Sequence, residues 1–238
     1  MKKKITAIFL CVALVAIAIA GASLAYFTDT DNETNTFTTG KVDITLNEIF
    51  DKDNAKLLPG SQTKNAVQKE VTIKVEDGSE DTYVWYEWLI PAALDTVGDA
   101  SKNIVHVNSP GRTWDKWREN ENFWAEGQTE PLPIEKTWDH SYGEKDGYIG
   151  DETIEGITYH KYVTLYHGLL KAGEETTVGM SQVYMDEHVD TNNQGQYTYN
   201  GTVIDYDFSN GVNIIVRAYG IQADGFTDVY AAYEAYNA

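Results

Sequence analysis

Apolar and polar residues alternate with a period of two along much of this chain. Val42, Ile44 and Leu46 interleave with Asp43, Thr45 and Asn47, and Val71, Ile73 and Val75 with Thr72, Lys74 and Glu76. That period sends successive side chains to opposite faces of an extended strand and reserves one face for a core. The tract 83–90 is aromatic and β-branched and ends at Pro91; further strands are predicted over 104–107, 156–165, 176–184, 197–204 and 212–219. Turn dipeptides punctuate them at Asp77-Gly78, Pro110-Gly111, Ala172-Gly173, Asn200-Gly201 and Asn210-Gly211. Asn200-Gly201, set between two short β-prone runs, is a hairpin signal. The pattern predicts an all-β fold, an antiparallel β-sandwich of about eight short strands.

Two stretches read as helical. Residues 63–69 form a short turn or helix. At the end of the chain Phe226, Val229, Tyr230, Tyr233 and Tyr236 recur at spacings of three and four, with Asp228 and Glu234 facing away. Thr227 is placed as the N-cap of this short C-terminal helix and Asp228 in its first turn. Between them, residues 95–155 read as a long loop insertion carrying Trp114, Trp117, Trp124 and Trp138. Those tryptophans either pin the loop to the fold by burial or present an aromatic binding surface.

The N-terminus changes the picture. Lys2, Lys3 and Lys4 precede an apolar run over 5–20, and Ser23 and Ala25 supply the small residues of a cleavage site, so residues 1–25 read as a secretory signal cut between Ala25 and Tyr26. Retained, residues 5–27 are long enough to span a bilayer, which takes ~20 apolar residues; the Ala- and Gly-rich stretch 16–25 fits cleavage better. The organisation that follows is a signal peptide over 1–25, a free polar segment over 26–39, and one sandwich domain over 40–238 containing the insertion at about 95–155.

Charge and cysteine usage narrow the partners. The chain carries 18 basic and 37 acidic residues; residues 1–25 contain three lysines and no acid, so the mature chain has a net charge of −22. Nucleic acid, anionic lipid and anionic cell-wall polymers are repelled by such a surface, and membrane contact is expected only before cleavage. The one cysteine, Cys11, lies in the signal. Disulfides and zinc–thiolate sites are therefore absent from the mature chain, which must be held by core packing.

Catalytic motifs are missing. No two histidines stand four apart with a glutamate between them, and no Gly-x-Ser-x-Gly elbow marks a nucleophile. Residues 190–195 begin like an EF-hand loop, but the twelfth position is Gly201 instead of the bidentate glutamate. No enzyme activity and no cofactor is expected, calcium on the acidic loops being the one weak exception.

The stretch 22–48 resembles the export signal and first strand of the TasA/camelysin family of Gram-positive bacteria. The residues that carry the resemblance are Ala25-Tyr26-Phe27-Thr28-Asp29, Asn35-Thr36-Phe37-Thr38 and Gly40-Lys41-Val42-Asp43-Ile44. Leu58-Pro59-Gly60 followed by 71–78 and Tyr83-Val84 is similar to the family's Pro-Gly turn and next strands, and 218–226 resembles the closing segment of relatives exported the same way. The resemblance implies a jelly-roll-like sandwich, processing by a dedicated signal peptidase, and a biofilm-matrix or surface-fibre subunit. In that picture residues 26–39 pair as a strand with a neighbouring copy, with Tyr26, Phe27 and Phe37 as anchors, and an anchoring or minor fibre protein is a further partner. Two other readings stay open: a camelysin-like secreted metallopeptidase, and a soluble glycan- or protein-binding adhesin using the tryptophan-rich insertion.

Overall fold

The computed structural model describes residues 41–51, 55–109 and 133–238. In chain order its strands are β1 (Ile44–Ile49), β2 (Pro59–Gly60), β3 (Val67–Val75), β4 (Thr82–Pro91), β5 (Val105–Asn108), β6 (Trp138–Asp139), β7 (Tyr148–Ile154), β8 (Ile157–Tyr166), β9 (Met180–Asp186), β10 (Val189–Thr191), β11 (Tyr197–Tyr199), β12 (Thr202–Val203) and β13 (Ile215–Gln222). One α-helix, α1 (Val229–Tyr236), follows them.

These strands make an all-β sandwich. One sheet runs β1–β3–β9–β5, antiparallel, with the short β2 lying parallel to the end of β9. The other runs β13–β4–β8, and both β7 and β6 pair with the far edge of β8. The chain passes from one sheet to the other between β3 and β4, between β4 and β5, between β5 and β6 and between β8 and β9, and returns through the third sheet to β13, a jelly-roll-like winding. A third, three-stranded sheet, β10–β11–β12, is a local meander turned at Asn200 and Gly201, whose φ values of 50° and 79° are those of a tight hairpin turn.

The period-two pattern is realised directly. Val71, Ile73 and Val75 of β3 are fully buried, while Thr45 and Asn47 of β1 face solvent. Facing them from the second sheet are Val84, Tyr86, Trp88 and Ile90, the even positions of β4. Its odd positions Tyr83 and Trp85 point outward, where Val229, Ala232 and Tyr233 of α1 cover them together with Val163 and Leu165. A strand covered on both faces needs no polar side, so the tract 83–90 is nearly continuous in apolar and aromatic residues. Each large side chain so buried contributes roughly 1.5–3 kcal/mol.

Four expectations need correction. The helical option over 63–69 fails: a turn at 61–65 leads into β3, because Val67 and Lys69 continue its inward-facing series. The N-cap of α1 is Asp228, not Thr227; its carboxylate accepts the Ala231 N–H at 2.9 Å. The stretch read as a loop over 95–155 contributes β6 and β7 to the second sheet, in addition to the expected strand at β5. Trp138, grouped with a candidate binding surface, is 4% exposed, packs edge-on against Tyr86 and Tyr166, and donates its indole N–H to the Thr177 carbonyl at 2.9 Å. Trp114, Trp117 and Trp124 lie outside the described residues, as do Ala25, Tyr26, Phe27 and Phe37.

Candidate functional site

The edge strands β1 and β13 flank the same side of the sandwich. β1 pairs with β3 alone and β13 with β4 alone, so among the described residues their outer edges have no ladder partner. At one end the two strands meet, with Ile44 against the Gly220 backbone. At the other end Phe50 and the segment 212–214 line opposite sides of an open cleft of about 450 Å³ between the sheets. Val67, Val183 and Met185 form one wall, and Val212 and Ile214 the other. Phe50 at the lip is 41% exposed, and the nearby Ile49 and Leu58 are 59% and 49% exposed. Tyr197 and Phe208 stand in contact at its margin, their ring centroids 4.5 Å apart.

The cleft is not wholly apolar. Along β1 the inward series runs Ile44, Leu46, Glu48, and along β3 it runs Val75, Ile73, Val71, Lys69. Both series therefore change from aliphatic to charged at the cleft end. The Lys69 ammonium meets Glu48 at 2.9 Å, with side-chain exposures of 9% and 35%, and lies 5.1 Å from the Phe50 ring centroid. An ion pair at an inward position is tolerated only where water or a ligand reaches it or where pairing is good.

The histidines are dispersed in separate polar clusters. Asp95 takes hydrogen bonds on one oxygen from Tyr162 at 2.5 Å and from His160 Nδ1 at 2.8 Å. Burial, then the Asp95 charge, pushes the Tyr162 phenol far above its ordinary pKa, so it stays a donor. His106 and His188 both turn a ring nitrogen to Asp186, at 3.2 and 2.8 Å. His140 Nε2 lies 2.9 Å from the Ser109 hydroxyl, and its Nδ1 lies 3.3 Å from that of Thr164. Tyr230 donates to Asp139 at 2.8 Å and sits 3.1 Å from His167 Nε2, joining α1 to the end of β8. These contacts brace loops onto strands. Among the described residues no three His, Cys, Asp or Glu side chains converge as metal ligands. Of residues 190–195, Asp190 and Thr191 belong to β10; the rest lie in the hairpin connection 192–196, in which Asn192 Oδ1 accepts the backbone N–H groups of Gln194 and Gln196.

None of the cleft residues stood out as a site from the sequence. The available signal was the pairs Ile49-Phe50 and Leu57-Leu58, which stand outside any alternating pattern on either side of the polar stretch 51–56.

Comparison with known proteins adds one finding. Residues 1–82 match the family described as camelysin metallo-endopeptidase, a span that covers β1, β2 and β3 and stops at the first residue of β4. No curated protein and no solved structure gives a significant match. That description names a metal, and among the described residues no group of three His, Cys, Asp or Glu side chains is placed to hold one.

Proposed function

We propose, on the premise of that camelysin-type N-terminal third, that the protein is exported, cleaved after Ala25, and assembled as a structural subunit of extracellular fibres. The observation that supports the reading is the cleft just beyond the ends of β1 and β13, lined by Phe50, Val67, Val183, Met185 and residues 212–214. Two edges without a ladder partner among the described residues, with an apolar slot at one end of them, offer backbone groups and a greasy pocket to an extended segment. The segment 26–39 directly precedes the domain and carries Tyr26, Phe27 and Phe37 among polar residues. Fully extended, its fourteen residues reach about 45 Å, enough to leave its own domain and enter a neighbour's. Donation of this kind is head-to-tail and does not close on itself, so it propagates as a filament. The partners are then further copies of the chain, a dedicated signal peptidase, and an anchoring or minor fibre protein.

Electron microscopy of the secreted protein, residues 26–238, beside a form beginning at residue 40 tests this. Filaments from the first and monomers from the second are expected; filaments from both would remove residues 26–39 from the mechanism. The family description favours a second reading, a secreted metallopeptidase. Stoichiometric zinc in the natively purified protein, together with peptide hydrolysis abolished by chelation, would establish it over the first.

A further inference from the structure

Next to the cleft beyond the ends of β1 and β13 lies a second one, which shares the Tyr197–Phe208 contact with it. It measures about 430 Å³ and is lined by Gln196, Tyr197, Val203, Tyr206, Asp207 and Phe208 among others. The volume falls in the ordinary range for small-ligand sites, roughly 300–1,000 Å³. We propose that this cleft binds a neutral saccharide chain, an assignment independent of whether the protein polymerises.

Three features carry the assignment. First, the aromatic surface is braced. The Tyr197 ring, 40% exposed, leans on Phe208 at 4.5 Å, Phe208 meets Tyr206 edge-on at 4.9 Å, and the Tyr206 hydroxyl donates to the Gly211 carbonyl at 3.1 Å. A pyranose presents a face of C–H groups with hydroxyls around its rim, and a fixed aromatic ring receives that face at little entropic cost. Second, planar polar groups stand around the ring. The Gln196 side-chain oxygen accepts from Asn192 Nδ2 at 3.0 Å, which orients its amide, and one oxygen of Asp207 accepts the Ser209 N–H at 2.9 Å. Such groups match vicinal hydroxyls. Third, charge selects against the alternatives. No Lys, Arg or His lines the cleft, Asp207 adds a negative charge, and the chain as a whole carries −19. An anionic polymer is repelled, whereas a neutral polyol is not. Val203, 47% exposed on the other side of the hairpin turn, supplies a further apolar contact.

The test is calorimetric titration of the secreted protein with cellohexaose and chitohexaose, with polygalacturonate as an anionic control. Binding of at least one neutral hexasaccharide is expected, with none of the control. Tyr197→Ala should weaken it at least roughly tenfold, about 1.4 kcal/mol, without moving the melting temperature. Val203→Trp, which fills the cleft from an exposed position, should abolish it. Replacing Trp114, Trp117 and Trp124 together by alanine should leave the affinity unchanged. The proposal is overturned if neither neutral hexasaccharide binds at concentrations up to about 5 mM. It is equally overturned if the control binds as well, or if the Tyr197 and Val203 variants bind like the parent.

Discussion

Ile44 of β1 lies so close over Gly220 of β13 that a Cβ placed on the glycine would come within 3.1 Å of the Ile44 Cγ2. The same Cβ would also meet Thr82 Cγ2 at 3.1 Å. The absence of a side chain at position 220 lets the two edge strands touch across the sandwich at this end. Gly220→Ala needs only a small yielding of two methyl groups and should be nearly neutral. Gly220→Leu must push β1 away from β13, and such overpacking costs typically 1–3 kcal/mol. Urea unfolding of the two variants checks this; a Leu variant as stable as the parent would show that the contact is not a constraint.

The ion pair at the cleft makes an asymmetric prediction. Lys69 is 9% exposed and Glu48 is 35% exposed, so each loses a different amount when its partner goes. Glu48→Leu strands a nearly buried ammonium and should cost more than Lys69→Met, which leaves a carboxylate able to hydrate. A buried charge left alone costs roughly 3–5 kcal/mol, and these partly exposed groups should fall below that. The double variant should return close to the parent stability, because the paired charges gain little over apolar side chains of similar size. A double-mutant cycle by chemical denaturation reads all three values.

Trp138 anchors β6 in the core through Tyr86, Tyr166 and the Thr177 carbonyl. Trp138→Ala should destabilise by about 3–5 kcal/mol, as large aromatic deletions in cores do. Saccharide binding at the Tyr197 cleft, measured under conditions where the variant is folded, should not change.

The tie between α1 and the second sheet depends on pH through Asp139. Burial raises its pKa, but hydrogen bonds from the Ser141 hydroxyl and backbone N–H and from Tyr230 outweigh this and hold it below the usual carboxylate value. A carboxylate whose pKa is lower in the folded state stabilises the fold above its unfolded pKa, near 3.9. That stabilisation is lost as pH falls through the lower folded value. Asp139→Asn should therefore lower the melting temperature most at neutral pH, and the gap to the parent should narrow as the solution is acidified below about pH 4. A gap that stays constant down to pH 3 would exclude ionisation of Asp139 as its origin.

Chelation supplies the last test. The described residues hold no convergent metal ligands, so dialysis against EDTA should leave the thermal transition where it was. A drop of several degrees would show a structural metal that the described His, Cys, Asp and Glu side chains do not account for.

Much of the sandwich was legible in the chain. Alternation over 42–46 and 71–75 marked β1 and β3 and told which side chains face inward, because a strand has only two faces and water selects between them. Asn200-Gly201 announced its hairpin because few other pairs accept left-handed φ at both positions. The stripe of Val229, Tyr233 and Tyr236 announced α1, although the choice between Thr227 and Asp228 as its cap turned on which side chain reaches the Ala231 N–H. The local pattern stops short wherever the deciding neighbour is distant in sequence. Whether Trp138 is a surface or a core residue depends on Tyr86 and Thr177. β7 reads weakly because only partial burial is asked of it, so its pairing with β8 is set by the hairpin at 155–156. The two clefts differ in this respect. The one beside the Tyr197 ring is lined by residues 195–209 alone, a single stretch folded back on itself at Asn200-Gly201. The larger one is a product of tertiary structure: Phe50, Val67, Met185 and Ile214 sit on segments up to 164 residues apart, and what surrounds that space is decided by how the sheets meet, which no single stretch of sequence specifies.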